Sequence, residues 1–208
     1  MSQRGPYAKG VERREAILRT TLTVFSQLGY RGTTVRAVAR ELDISPSLLR
    51  HYFSTREELL TAVIDEWDAE TRRHAAGGTY LEVFEKGIRH NASIPGLIHL
   101  YMALVIESTD PDHAAQRYIV GRYAYLTRQI IEDITLRQAA GTAPAEIDPE
   151  RAARVLIAAV EGLQVRWLHE QNFDMAAEFL YLLAQFGVVL DAEPATGADN
   201  GPGSSESG

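Results

Sequence analysis

Apolar residues recur along most of the chain three or four positions apart, and no segment alternates well enough to be a strand. The first stripe is Leu18, Leu22 and Phe25, with Ile17, Thr21, Val24 and Leu28 alongside, and it predicts a helix over residues 11–28 that Gly29 ends. A short pattern follows, capped by Thr33 or Thr34 and burying Val35, Val38, Ala39 and Leu42. Asp43 and Ile44 make a turn. Ser45 then caps a third helix whose first position is Pro46, where no N–H is needed, and Ile44, Leu49 and Phe53 can face inward together. Ser54 or Thr55 caps a fourth helix with Glu57 and Glu58 in its first turn, where negative charge suits the helix dipole. Its stripe Leu60, Val63, Ile64 and Trp67 continues until Gly77 and Gly78 stop it. Further helices are predicted near residues 80–91, 95–108, 111–140, 148–170 and 174–190, each break marked by Pro, Gly or a capping Asp. The fold class is all-α.

Two short helices meeting at the 43–44 turn form a helix-turn-helix pattern, the second helix offering small, basic and aromatic side chains on its outer face. The chain divides into a flexible basic arm (1–10), a helix-turn-helix head (11–56), a larger helical body (57–190) and a tail (191–208) rich in Gly, Ser, Pro and acids, which is expected to be disordered. The arm, with Arg4 and Lys9, can track phosphates or enter a minor groove, or be an untethered terminus.

A net charge of −7 argues at first against a nucleic-acid partner. The distribution reverses this. Residues 1–60 carry 10 Lys/Arg against 6 Asp/Glu, and residues 61–208 carry 11 against 22. A basic head on an acidic body fits phosphate binding, though solvated Arg-rich helix faces give the same balance. The absence of cysteine excludes disulfides and thiolate metal sites. The N-terminal stretch lacks the apolar core of a signal peptide, and the longest apolar run, residues 94–106, is too short to span a bilayer. A cytoplasmic protein with no membrane partner is expected.

A helical enzyme or metal protein is the contrasting reading. His169-Glu170 begins like a zinc-protease motif, but Phe173 stands where the second histidine is required, and His90, His99, Glu107 and His113 lack a ligand spacing. There is no nucleophile elbow and no phosphate loop. No catalytic residue, metal or cofactor is expected.

Ala16-Ile17-Leu18, Phe25, Gly29-Tyr30, Thr33-Thr34-Val35, Val38-Ala39, Ile44-Ser45, Leu49, His51-Tyr52-Phe53, Arg56 and Leu59-Leu60 follow in order and spacing the N-terminal signature of tetracycline-repressor-like (TetR) regulators. The resemblance is specific over residues 11–65. Beyond them it rests on helix count and length, with softer matches at Asp148-Pro149-Glu150, Glu161-Gly162-Leu163-Gln164 and Trp167. Two departures stand in the head: Asp43 occupies a turn position usually held by glycine, and Arg50 a recognition-helix position usually held by tyrosine.

The resemblance implies a dimeric transcriptional regulator, a repressor, that binds a palindromic DNA operator and is released when a small hydrophobic or aromatic effector fills the body. The alternative is a DNA-binding regulator whose body binds a protein partner. In such a head the second helix lies in the major groove. Arg50 is the first candidate for reading sequence, since its planar fork can bond guanine O6 and N7 together. Ser47 and Leu48 can touch a base edge or a thymine methyl, and Ser45 and Pro46 begin the helix. Thr33, Thr34, Tyr52, Thr55 and Arg56 are expected at phosphates; His51 is expected at a phosphate or as a solvated surface site, with base readout as its alternative. Leu156, Val160, Leu163, Trp167, Phe179, Leu182, Phe186 and Val189 are expected at a four-helix homodimer interface. Trp67, Phe84, His99, Tyr101, Met102, Glu107, Tyr123 and Trp167 are the candidates for effector binding, against the simpler reading of each as plain core. The fourth helix, running from the reader to the pocket, is the expected lever.

Overall fold

The computed structural model describes residues 6–74 and 78–190, except the side chains of residues 6–9 and 74. Among the described residues the chain is all-α and contains no strand. The helices are α1 (Pro6–Gly32), α2 (Val35–Glu41), α3 (Pro46–Tyr52), α4 (Arg56–His74), α5 (Tyr80–Ala92), α6 (Leu97–Glu107), α7 (Gln116–Ala139), α8 (Pro149–His169) and α9 (Met175–Gln185). None is long and apolar enough to cross a membrane.

Helix α1 starts five residues before the predicted position, at Pro6, so it takes in part of the expected arm. Proline is preorganised for a first helical turn, and a helix tolerates the single Gly10 that follows. Residues 1–5 and the expected disordered tail, 191–208, lie outside the described residues. At its other end α1 kinks at Gly29, with φ 66° and ψ −172°, close to the predicted stop. Thr34 caps α2 by accepting from Ala37 N at 3.1 Å, and Ser45 caps α3 by accepting from Leu48 N at 3.1 Å. Between them Asp43 sits at φ 52° in the left-handed region, which aspartate enters more readily than most residues, so the glycine-type turn is kept without glycine. Thr55 caps α4, accepting from Glu58 N at 3.0 Å, while the Glu58 carboxylate accepts from Ser54 N at 2.7 Å.

Helices α7 and α9 are shortened most relative to prediction. Helix α7 starts at Gln116 because residues 108–115 are taken up by turns, with Asp110 Oδ1 accepting from Asp112 N at 3.0 Å and Asp110 O accepting from His113 N at 3.0 Å. Helix α9 ends at Gln185, two residues before Gly187, whose φ of 67° lies outside the helical region. A Cβ on Gly187 would stand 2.7 Å from Pro144 Cγ, so the chain turns back there only because the residue is glycine.

The head closes on Ile17, Leu18, Phe25, Val38, Leu49, Phe53, Leu59 and Leu60, all at most 2% exposed. Helix α4 leaves the head and enters the body, packing on α1 at its start and on α5 and α6 further along. In the body α8 lies against α6, α7 and α9, and α5 against α7 and α9.

This packing corrects part of the expected dimer face. Leu156, Val160 and Phe179 are buried inside the protomer, at 0%, 5% and 0% exposure. Helix α8 carries two apolar faces, and the one with Ala152, Ala153, Leu156, Ile157 and Val160 turns inward. The outward face carries Val155, Ala158, Gly162 and Val165, and α9 adds Leu180, Tyr181 and Ala184, with Val189 exposed just beyond it. Leu163, Leu182 and Phe186 are half-buried at the edge between the faces.

Candidate functional site

The outer face of α3 is formed by Ser47, Leu48, Arg50 and His51, all exposed, while Leu49 on the inner face is fully buried. The seven-residue helix makes this division unavoidable, since a side chain and the one three or four places on share a face. Tyr52 is half-buried, its ring meeting His51 edge-on at 5.7 Å. Thr34, Ser45 and Thr55 are exposed, and Pro46 is half-buried. Arg36 and Arg40, both exposed on α2, were not among the expected site residues, although their spacing puts them on the face opposite the buried Val38.

Two residues expected at phosphates belong to the protein's own framework. Thr33 is 1% exposed and its hydroxyl donates to Gly29 O at 2.8 Å, the same carbonyl that accepts from Thr33 N at 3.2 Å. Arg56 donates from Nε to Thr33 O at 2.6 Å, from Nη2 to Tyr30 O, and from Nη1 to Glu57 Oε1 at 3.0 Å. Its guanidinium also lies 4.1 Å from the Tyr30 ring centre. Two of the three nitrogens thus hold the end of α1 on the start of α4, and the third bonds within α4. The Tyr30 hydroxyl in turn lies 3.0 Å from His113 Nε2, in the turn between α6 and α7. His113 Nδ1 accepts from Ala115 N at 3.2 Å, so the neutral ring carries its proton on Nε2 and donates to Tyr30. Head and body are joined at this junction as well as along α4.

The body holds a cavity of about 100 Å³ between α4, α5, α6, α7 and α8. Three of the expected effector residues line it: Trp67, Phe84 and Tyr101. The others do not. His99 is exposed and stacks edge-on to Phe25 at 5.3 Å, Met102 is buried in the core, and Glu107 is exposed. Trp167 borders a separate hollow with Ile88 and Phe173, since it stands on the α8 face turned toward the α8–α9 connection. Tyr123 reaches the cavity wall indirectly, donating to Glu161 Oε1 at 2.5 Å.

Glu161 itself lines the cavity, and the same oxygen accepts from the Tyr101 hydroxyl at 3.2 Å. Across the cavity Arg122 forks onto Asp68, with Nη1 bonded to Oδ2 and Nη2 3.2 Å from Oδ1, joining α7 to α4. Further wall residues are Thr71, Tyr80, Asn91, Tyr125 and Gln164. Sequence reasoning missed the polar members of this set. Four buried polar atoms on the wall have no hydrogen-bond partner among the described residues: Thr71 Oγ1, Asn91 Oδ1, Arg122 Nε and Gln164 Oε1. Buried polar groups are normally paired, so these four are groups on one cavity that can bond a polar molecule.

Burial, with a contribution from Glu161 and opposition from Arg122, pushes the Tyr101 hydroxyl from its ordinary 10.0 up to about 12. Tyr80, Tyr118 and Tyr123 are raised as well, in each case mainly by burial. A raised folded-state value makes the protonated tyrosine a stabilising group below the unfolded value, and this stability is lost as pH climbs through the folded one. The protein is therefore expected to lose stability between pH 10 and about 12, with the ultraviolet tyrosinate signal of these four buried residues appearing together with unfolding. Ionisation of these four in the intact fold near pH 10 would contradict this.

Residues 17–63 match the family model described as bacterial regulatory proteins, tetR family. The HTH-type transcriptional regulator BetI of Burkholderia mallei (strain NCTC 10229) is 38% identical over 69 residues, which cover 31% of this chain and 35% of that protein. The match thus spans about a third of the curated relative's length. Over the whole fold, a Rhodococcus sp. protein assigned to the TetR-family transcriptional regulators superposes with a TM-score of 0.69 at 25% identity, covering 85% of this chain and 98% of the other. Residues 17–63 thus carry the tetR-family segment, and over the whole fold the chain is similar to TetR-family regulators. The FadR regulator of Bacillus subtilis, whose structure is in complex with stearoyl-CoA, shares the fold at a TM-score of 0.67 and 14% identity, covering 83% of this chain and 96% of its own. The family model spans the later part of α1, all of α2 and α3, and the first eight residues of α4, so the matched segment ends immediately before Ile64, the first residue of the cavity wall.

Proposed function

We propose that the protein is a dimeric transcriptional repressor that binds a palindromic DNA operator through α3 and releases it when a small molecule fills the body cavity. The observation that carries this is the placement of two sites on one helix: α4 begins at Arg56, bonded to the end of the head's first helix, and its later turns supply Trp67, Asp68 and Thr71 to the cavity wall. The 16 residues from Arg56 to Thr71 form a rod of about 22 Å. A ligand that shifts the far end of such a rod tilts the head.

Arg50 reads sequence, with Ser47 and Leu48 beside it. Thr34, Ser45, Pro46, His51, Tyr52 and Thr55 surround them as positioning groups, joined by Arg36 and Arg40 of α2, the helix that crosses the backbone in this motif. The homodimer is built from the outward faces of α8 and α9, where Ala158 and Gly162 allow close helix approach and Val165 and Tyr181, 45% and 66% exposed, supply apolar surface. Two recognition helices must then meet successive major-groove turns about 34 Å apart, and the effector favours a state in which they do not.

Replacing Arg50 by alanine is expected to weaken operator binding by about 1–3 kcal/mol and to relax the preference for guanine at one position, with the dimer unchanged. Titration of operator and single-base variants measures both. Unchanged affinity and unchanged preference would remove Arg50 from the readout.

A further inference from the structure

We infer that the cavity is built for a small organic ammonium ion: a protonated primary or secondary amine on a compact aromatic or hydrocarbon body. The inference rests on the reading of the cavity as an effector site and names the chemistry of what enters it.

The key group is Glu161. Its Oε1 is fixed by two hydroxyls, Tyr101 from α6 and Tyr123 from α7, and this leaves Oε2 without a protein donor among the described residues. No Lys, Arg or His pairs with this carboxylate among the described residues, although a carboxylate on a cavity wall gains from a cation beside it. Arg122, whose guanidinium lies 5.1 Å from the centre of the Tyr101 ring, already has both terminal nitrogens on Asp68, so its charge is answered there. Arg72, also on the wall, is exposed to solvent. Of the two carboxylates on the cavity wall, Asp68 and Glu161, Glu161 is therefore the one with no paired cation among the described residues.

The neighbouring groups extend the same preference. Gln164 lies three residues from Glu161 on the same face of α8, is 8% exposed, and its Oε1 has no donor. Two acceptors side by side suit an ammonium group with two or more N–H bonds. The rest of the wall is aromatic, and rings such as Trp67 and Phe84 both cover the hydrocarbon part and favour a cation over their faces. Arg122 Nε and Thr71 Oγ1, the unpaired groups across the cavity, can receive a ligand oxygen when the amine carries one. A carboxylate or phosphate placed beside Glu161 would meet like charge. Size adds a second limit: about 100 Å³ accommodates one ring or a short branched chain, below the roughly 300–1,000 Å³ of common ligand pockets.

The test uses the full chain and three probes that differ only in charge: benzylammonium, benzyl alcohol and benzoate. Calorimetry gives affinity, and a parallel assay follows release of DNA selected on this protein from a random pool. Benzylammonium is expected to bind at least tenfold more tightly than the other two. Glu161→Gln, which keeps the shape and an acceptor for the tyrosines, is expected to lower that affinity at least tenfold and leave benzyl alcohol unchanged. Gln164→Met, which removes one acceptor and disturbs no hydrogen bond within the protein, is expected to lower it about threefold. Preference for benzoate, binding by none of the probes, or an unchanged order in Glu161→Gln would overturn the ammonium assignment. Benzylammonium bound with the DNA retained would keep the assignment and overturn effector control, whereas benzoate bound with the DNA released would do the reverse.

Discussion

Replacing Asp133 by alanine is expected to lower the stability of the fold by about 3–5 kcal/mol, the range for removing one partner of a buried charged pair. Asp133 stands on α7 and is 5% exposed. Its Oδ2 accepts from Leu81 N at 2.7 Å, taking up one of the free donors of the first turn of α5, and its Oδ1 accepts from Arg137 Nε at 2.7 Å. Alanine leaves the Leu81 N–H buried without a partner, and it leaves Arg137, 11% exposed at its side chain, with a carboxylate only at 3.5 Å on Glu82. Asn, which retains an acceptor for Leu81, is expected to recover part of the loss. Urea unfolding monitored by circular dichroism measures it. A change below about 1 kcal/mol would mean that water or a neighbouring acceptor takes over at both donors.

The second large effect is expected at Arg56. Alanine there removes two charge-assisted bonds to the carbonyls of Tyr30 and Thr33 and the stacking on the Tyr30 ring. At about 1.5–3 kcal/mol for a hydrogen bond to a charged group, reduced because water can reach carbonyls near a helix end, the expected loss is about 2–4 kcal/mol. Lysine should restore little of it, since one ammonium cannot reproduce a planar fork aimed at two carbonyls while covering a ring. DNA binding should fall as well, because the end of α1 positions Thr34 and with it the start of α2. The same substitution separates this role from a direct phosphate contact. Loss of a phosphate contact would lower the salt dependence of binding by about one ion and leave unfolding unchanged; loss of the clamp changes unfolding first.

The head was legible because its signals are local. Ser45 and Pro46 start α3 within two residues, Asp43 tolerates the turn, and Leu49 and Phe53 fall on one face by helical spacing alone. The role of Arg56 was not legible, because its partners lie 23 and 26 residues upstream and are backbone carbonyls, which carry no sequence signature. The cavity followed the same rule. Aromatic residues on the right helices pointed to Trp67, Phe84 and Tyr101, but Arg122 meets Asp68 across 54 residues, and Glu161 meets Tyr101 across 60. Such pairs depend on how helices pack, and neither partner stands out along its own helix. The faces of α8 were ambiguous for another reason. Both are apolar, so periodicity finds the helix and leaves open which face turns inward, and Leu156 and Val160 are the consequence.

The account rests on α3 as a sequence reader presented twice by a dimer. Repeated selection of random-sequence DNA on the full-length protein, followed by sequencing, tests it most directly. The predicted result is an inverted repeat whose half-sites lie on one side of the duplex, about one helical turn of 34–36 Å apart, with a guanine in each half that loses its enrichment in Arg50→Ala. DNA bound without any enriched sequence, or a single unrepeated site, would contradict it.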